Sequence, residues 1–308
     1  MTEIYALDLN FLGMPHVIAS YLIKHGHGAM IIESGPGSTI EGLKTALAAH
    51  DLTVADVTDV LLTHIHLDHA GAAGWLARNA NHGQGANIYV HPNGAPHLLN
   101  PEKLLKSATR IYGDMMDQLW GEFLAVPENR LIVLQDQQDV VIDLLHFCPL
   151  DTPGHAEHHF AYLFEDICFT GDVGGIRLPG PPHLRVPMPP PEFHLEKWRA
   201  SLNKLQATGC RRVAPTHFGI YEDVAQHWEM LQRGLAEVEE FMQNVMPSDP
   251  PVNEINDRFM AWTADRSQQQ GLTEEEIAPY EAANPSWMSA TGMQRYWRKY
   301  RVNESATH

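Results

Sequence analysis

Thiol chemistry has little to work with in this chain: its three cysteines, Cys148, Cys168 and Cys210, are far apart, odd in number and free of any C-x-x-C pairing. That excludes a disulfide framework and a thiolate zinc site, and leaves them as small buried hydrophobes. Long apolar runs are missing too. No stretch of about 18 uncharged apolar residues occurs, and Glu3 and Asp8 stand where a basic targeting segment would begin. A cytoplasmic protein without a membrane span is the expectation. Positive charge is scarce: 21 Lys and Arg against 38 Asp and Glu give a net charge of -17, a sign that repels phosphate backbones and anionic lipid surfaces. Neither nucleic acid nor a membrane is expected as a partner. What the chain does have is apolar material and histidine. Of 308 residues, 44% are hydrophobic, enough for one large domain or two ordinary ones. The 19 histidines nearly match all Lys and Arg together, and imidazole is the commonest metal-ligand side chain.

Short β segments are expected over 4–11, 17–24 and 29–33, with a turn at His25-Gly26-His27-Gly28 whose histidines read as solvated. Ser34-Gly35-Pro36-Gly37-Ser38 breaks the sheet, and helical spacing follows over 39–50. A strand over 57–63, a helix over 70–80, a strand over 86–91 and a helical region over 93–123 come next. In that last region Leu104, Leu105, Ala108, Ile111 and Tyr112 recur at helical spacing, and Met115, Met116 and Trp120 are assigned to the same packing face. Strands at 131–134, 140–145, 160–164 and 167–170 read as a meander. The β and helix alternation in both halves predicts two sheets packed face to face with helices outside.

Residues 174–192 hold seven prolines with Arg177, His183 and Arg185, a long irregular segment of the kind that forms lids. It is expected to shape a pocket entrance. Helices over 192–207 and 221–245 flank a strand at 212–215, and Pro247, Pro250 and Pro251 mark a linker. The chain thus divides into a main domain, 1–246, and a helical extension, 247–308. The extension carries helices over 255–270 and 285–300 and a capping box at Thr273 and Glu276. Its Trp262, Tyr280, Trp287, Tyr296 and Trp297 are expected to dock it on the main domain or on a second subunit, with a homodimer as the expected assembly.

The densest cluster is Thr63-His64-Ile65-His66-Leu67-Asp68-His69, between a buried strand and a helix. Alternate side chains at a strand end project to one side, so His64 and His66 can converge on one cation. The turn that follows can aim Asp68 and His69 at a second cation about 3.5–4 Å away. Each of two cations takes about three protein groups and a shared solvent. His155 in Thr152-Pro153-Gly154-His155, Asp172 in Phe169-Thr170-Gly171-Asp172 and His217 in Pro215-Thr216-His217-Phe218-Gly219 can supply the rest. Each lies at a strand end with a glycine close by, where the backbone can turn tightly.

H-x-H-x-D-H, T-P-G-H, G-D and a later T-H, in that order after a strand ending at Ile32-Glu33-Ser34-Gly35, resemble the metallo-β-lactamase fold superfamily over about residues 4–220. The glyoxalase II and lactonase members are the most similar in pattern. The resemblance implies an α/β fold, a four-layer αββα sandwich, here with an added C-terminal helical segment. It implies that His64, His66 and His155 hold one metal, that Asp68, His69 and His217 hold the other, and that Asp172 bridges both. It also implies a metal-bound hydroxide as nucleophile, because a cation lowers the pKa of bound water towards about 7. Asp68 would then orient that nucleophile or pass a proton to the leaving group. Two divalent metal ions follow, Zn(II) by donor type, with Fe and Mn fitting the same donors. His158 and His159 are expected to hydrogen-bond behind the ligands, and His91, His97, His146, His183, His194 and His227 to be structural or exposed. The expected activity is hydrolysis of a small-molecule ester, thioester or lactone. An iron-dependent redox enzyme of the sulfur-dioxygenase kind and a phosphodiesterase of the same fold are the alternatives, since fold and ligands alone do not choose a substrate.

Overall fold

In the computed structural model, which describes residues 2–302, the first sheet is laid down in chain order. β1 (Ile4–Asp8), β2 (Ala19–His25) and β3 (Gly28–Ile32) are antiparallel neighbours; β4 (Val57–Leu61), β5 (Asn87–Val90) and β6 (Leu131–Val133) then add in parallel. Parallel steps need crossovers. These contain α1 (Ile40–Ala48), α2 (Leu67–Ala70), α3 (Ala73–Asn79), α4 (Ala95–Leu99), α5 (Glu102–Tyr112) and α6 (Met116–Trp120). The second sheet has the order β11-β10-β9-β8-β7, formed by β7 (Val140–Ile142), β8 (Leu145–Asp151), β9 (Phe160–Phe164), β10 (Ile167–Phe169) and β11 (Arg212–Ala214). Only its β10–β11 pair is parallel, and that crossover runs through the Pro-rich segment and α7 (Leu195–Ala207).

The strand period of two sorts side chains onto two faces. Leu22, Ile31, Val60 and Ile88 pack with Leu43 and Leu47 of α1 and Leu76 of α3. Their neighbours Tyr21, Met30, Ile32 and Leu61 pack instead with Phe147, Phe160, Tyr162 and Phe169 of the second sheet. That sheet turns Ala161, Cys168 and Val213 onto Trp198 of α7 and Leu231 and Leu235 of α8 (Val224–Val245). The result is the αββα order that the alternation predicts. Each fully buried Leu or Phe contributes about 1.5–3 kcal/mol, so the sheet-to-sheet core fixes where the strand ends lie.

One expected strand is a hairpin. The run 140–145 breaks after Ile142, where Asp143 takes φ 53°. Asp tolerates that left-handed turn geometry. Val140 and Ile142 on one strand and Leu145 and Phe147 on the other are all buried, so the apolar pattern carries through the turn and hides it.

Beyond α8 the chain forms α9 (Val252–Gln269), α10 (Glu274–Ala283) and α11 (Ser286–Tyr296). The capping box is made: Thr273 Oγ1 accepts from the Glu276 N–H at 3.3 Å, and the Thr273 N–H donates to Glu276 Oε2 at 2.8 Å. Ile255, Phe259, Met293 and Tyr296 share a core with Trp198 and Phe241. The Pro-rich segment is latched to these helices, with Arg185 Nη1 2.5 Å from Glu281 Oε1 and His183 Nδ1 donating to Gln270 Oε1 at 2.6 Å. No helix among the described residues is long and apolar enough to cross a membrane.

The latch has a pH signature. Burial drives the His183 pKa from 6.5 down to about 4. Between those values the unfolded chain takes up a proton that the folded protein refuses, so stability falls as the pH falls through this window. The linkage reaches about 2 kcal/mol at pH 5. Urea unfolding of the wild type and His183→Gln should show the difference, wild type minus variant, falling by about that amount from pH 7 to pH 5. A difference that does not move with pH would mean that His183 is not held neutral.

Candidate metal centre

The C-terminal ends of four strands deliver the polar side chains. β4 stops at Leu61, so His64 and His66 follow in the turn and Asp68 and His69 lie in α2. β8, β10 and β11 end just before His155, Asp172 and His217. His66 Nδ1 is 2.8 Å from His64 Nε2 and 2.9 Å from His155 Nε2. Asp68 Oδ2 is 3.4 Å from both His69 Nε2 and His217 Nε2. Asp172 spans the two groups, with Oδ2 3.3 Å from His155 Nε2 and Oδ1 3.4 Å from His69 Nε2 and 3.5 Å from His217 Nε2. All seven side chains singled out in the sequence therefore meet in one place.

Their outer hydrogen bonds fix which nitrogen faces inward. His155 Nδ1 donates to the Pro187 carbonyl at 3.0 Å, His217 Nδ1 to the Val17 carbonyl at 2.7 Å, and His69 Nδ1 to Glu33 Oε1 at 3.0 Å. His64 Nδ1 meets Thr63 Oγ1 at 3.0 Å, an oxygen whose own proton goes to Glu33. An imidazole whose outer N–H is committed presents a lone pair on its Nε2, the tautomer a metal requires. Inside the cluster, His69 Nε2, His217 Nε2 and Asp172 Oδ1 are buried without a hydrogen-bond partner among the described residues. Buried polar atoms left unpaired cost about 1–3 kcal/mol each, and a divalent cation satisfies all three. The donor set fits one or two such ions.

The electrostatics point the same way. Burial drives the His64 pKa well below its usual value and the His66 pKa down to about 3, with neighbouring imidazoles adding to the shift. Burial opposes charge on Asp172 as well, yet the His69, His155 and His217 imidazoles outweigh it and hold the carboxyl below the usual range. Burial likewise disfavours charge on His69, but Asp68, Asp172 and Glu33 outweigh it and raise that pKa, so a cation at its Nε2 would take the place of a proton. Carboxylates this strongly ionised in a buried setting demand compensating positive charge.

Glycine makes the close approach possible. Gly171 has φ +51°, and a Cβ there would lie 2.6 Å from His159 Nε2 and 2.7 Å from Thr63 Oγ1. His159 sits behind the cluster, with Nδ1 2.9 Å from Thr152 Oγ1. His158 lines the open side, its Nε2 3.5 Å from Glu192. His194 lies elsewhere, preceding α7 and packed 4.3 Å from the Tyr300 ring centroid.

Glu33 is the residue that spacing did not reveal as part of this network. It is fully buried at the end of β3 with φ 71°. Its carboxylate accepts from the Thr63 hydroxyl, the Thr63 N–H at 3.3 Å, the Thr216 hydroxyl at 3.0 Å and His69 Nδ1. With its oxygens so occupied, Glu33 holds the His69 and Thr63 side chains in place. Glu33→Gln is expected to weaken metal affinity by about 10–100-fold. Competition against a chromophoric chelator on folded protein measures it; unaltered affinity would assign Glu33 to packing alone.

The cluster opens into a chamber of about 640 Å³. Tyr112 and Trp120 from α5 and α6, Pro187 and Pro190 from the Pro-rich segment, and Trp287 and Met288 from α11 form much of its wall. Trp120 was expected on a packing face and does pack there, against Phe11 at 5.8 Å, but it also lines the chamber. Met115 is exposed at the rim.

Two mixed sheets between helices, with imidazoles and carboxylates gathered beyond the strand ends, define a metal-dependent hydrolase scaffold. The chain belongs to the metallo-β-lactamase superfamily, which it matches over residues 13–217. A metallo-β-lactamase fold-containing protein of Sulfurisphaera tokodaii is 24% identical over 210 residues, 67% of this chain and 74% of that one. An atrochrysone carboxyl ACP thioesterase of Aspergillus fumigatus is 29% identical over 246 residues, 77% of this chain; the match spans 63% of the thioesterase's length. Among solved structures, that of the same archaeal protein, ST1585, there named from Sulfolobus tokodaii, superposes with a TM-score of 0.66 at 17% identity, covering 96% of this chain and 99% of the other. One from Thermus thermophilus gives 0.66 at 20% identity, covering 96% and 93%. At such identities these structures share the fold.

Proposed function

We propose that this protein is a dinuclear metal-dependent hydrolase that cleaves a thioester, or a related ester or lactone, carrying a bulky apolar acyl group. The observation that carries the reading is the seven-residue cluster at the floor of an apolar chamber. His64, His66 and His155 would hold one divalent cation, Asp68, His69 and His217 a second, and Asp172 both. Zn(II) suits these nitrogen and oxygen donors. Such ions, when bound, acidify coordinated water and polarise a carbonyl oxygen.

The chain's own residues do the rest. Asp68 Oδ2 is engaged between His69 and His217, and Asp68 lines the chamber, so its other oxygen would take up a proton and hand it to the departing sulfur or oxygen. Tyr112, Trp120 and Trp287 exclude water and seat the acyl group. Net hydrolysis breaks the C–S or C–O bond, forms a C–O bond to water, and releases a carboxylic acid and a thiol or alcohol. The thioester is favoured because fungal relatives bear the name of acyl-carrier-protein thioesterases.

Zinc-loaded protein should be assayed on thioesters, esters, lactones, phosphodiesters and β-lactams. Turnover concentrated on thioesters with large acyl groups is expected; turnover confined to phosphodiesters or β-lactams would overturn the reading.

A further inference from the structure

The protein carries 38 acidic against 21 basic residues, yet one cleft reverses that balance. Arg110 of α5, Arg295 of α11, and Arg298 and Lys299 just beyond it line a cleft of about 690 Å³ with no carboxylate among its described lining residues. Arg298 is paired with Asp249 at 2.8 Å. Arg110 and Arg295 form no ion pair among the described residues; Arg295 gives its Nε–H to the Pro191 carbonyl at 3.2 Å, and both are exposed. Cationic side chains that line one cleft without a carboxylate among them make its potential positive, which favours a bound anion.

The position of the cleft gives it meaning. Ser107, Ile111, Pro190 and Pro191 line both the cleft and the chamber, so the two spaces share one lip. A ligand whose carbonyl lies at the metal cluster and whose acyl group fills the aromatic chamber can pass its other half over Ile111 and the prolines into a cationic trough. A phosphate suits that trough, because guanidinium forks match its oxygens.

We infer that the cleft bounded by Arg110, Arg295 and Lys299 binds a phosphate on the thiol half of an acyl thioester, the phosphopantetheine arm that coenzyme A and acyl carrier proteins share. The inference rests on the thioester reading above and adds the handle by which such a substrate is held.

The test compares two thioesters of the same acyl group, one on pantetheine and one on phosphopantetheine. Wild-type kcat/KM is expected to favour the phosphorylated substrate by about tenfold or more. The ratio should fall towards one in Arg110→Gln/Arg295→Gln and persist in Lys44→Gln, a lysine paired with Glu41 on α1. A ratio near one in the wild type, or one that the double variant leaves intact, overturns the inference. Calorimetric binding of phosphopantetheine against pantetheine separates this from the fate of the thioester reading. If neither thioester turns over, that reading fails, while equal affinity for the two thiols independently overturns the phosphate site and tighter binding of phosphopantetheine upholds it. Coenzyme A thioesters and an acyl-loaded carrier protein then distinguish the source: a gain on the coenzyme A thioester over the phosphopantetheine thioester assigns the free cofactor, and a gain on the loaded protein over both assigns the carrier.

Discussion

Asp172→Ala is expected to lose more than about 100-fold in kcat/KM and to retain less metal after dialysis, with its far-ultraviolet circular dichroism unchanged. The reasoning is geometric. Asp172 is within 3.5 Å of nitrogens from both groups, His155 on one side and His69 and His217 on the other. Residues that only orient a ligand cost about 10–100-fold when removed, and a direct donor common to two sites must exceed that. The backbone there is a short turn after β10, stabilised by Gly175 N–H to the Asp172 carbonyl at 2.9 Å, so the fold does not depend on the side chain. His66→Ala should behave alike, while His194→Ala should leave metal content and turnover in place. Full metal content and full activity in Asp172→Ala would remove it from the centre.

The second large effect concerns the whole centre. Treating the loaded protein with a strong chelator should abolish hydrolysis and lower the thermal midpoint by roughly 10 °C. Free metal at a thousand times its Kd supplies about 4 kcal/mol to the folded state. Its loss would also leave His69 Nε2, His217 Nε2 and Asp172 Oδ1 buried without a hydrogen-bond partner among the described residues. Adding Zn(II) should restore both properties. Activity and midpoint that ignore the chelator would show that these seven groups do not hold a catalytic ion.

The sequence made the cluster readable where chemistry and chain neighbourhood coincide. His64, His66, Asp68 and His69 lie within six residues, and a strand end followed by a helical turn can only send them to one side. His155, Asp172 and His217 were legible for a related reason, each being placed just past a strand with a glycine nearby. Glu33 escaped because its role exists only after folding: Thr63, His69 and Thr216 reach it from three different segments. The hairpin at Asp143 was masked by an apolar alternation that resumes in phase after the turn. The chamber was the least visible. Its walls come from α5 and α6, the Pro-rich segment and the α10–α11 region, and the last two meet only after folding, through contacts such as Arg185–Glu281, Met188–Ser289 and Pro191–Arg295.

The floor of the cavity and its walls are encoded in separate stretches of chain. The donors come from the turns and the short α2 beyond β4, β8, β10 and β11, whereas the aromatic and proline surfaces come from residues 104–120, 187–191 and 281–288. Apart from Pro187, whose carbonyl holds His155, the wall side chains can therefore change without touching the donors, and under the proposed function such changes would alter the group accepted and leave the reaction as it is. Redesign for a new substrate should begin with the walls, and transplanting α10 and α11 between relatives is the natural first exchange.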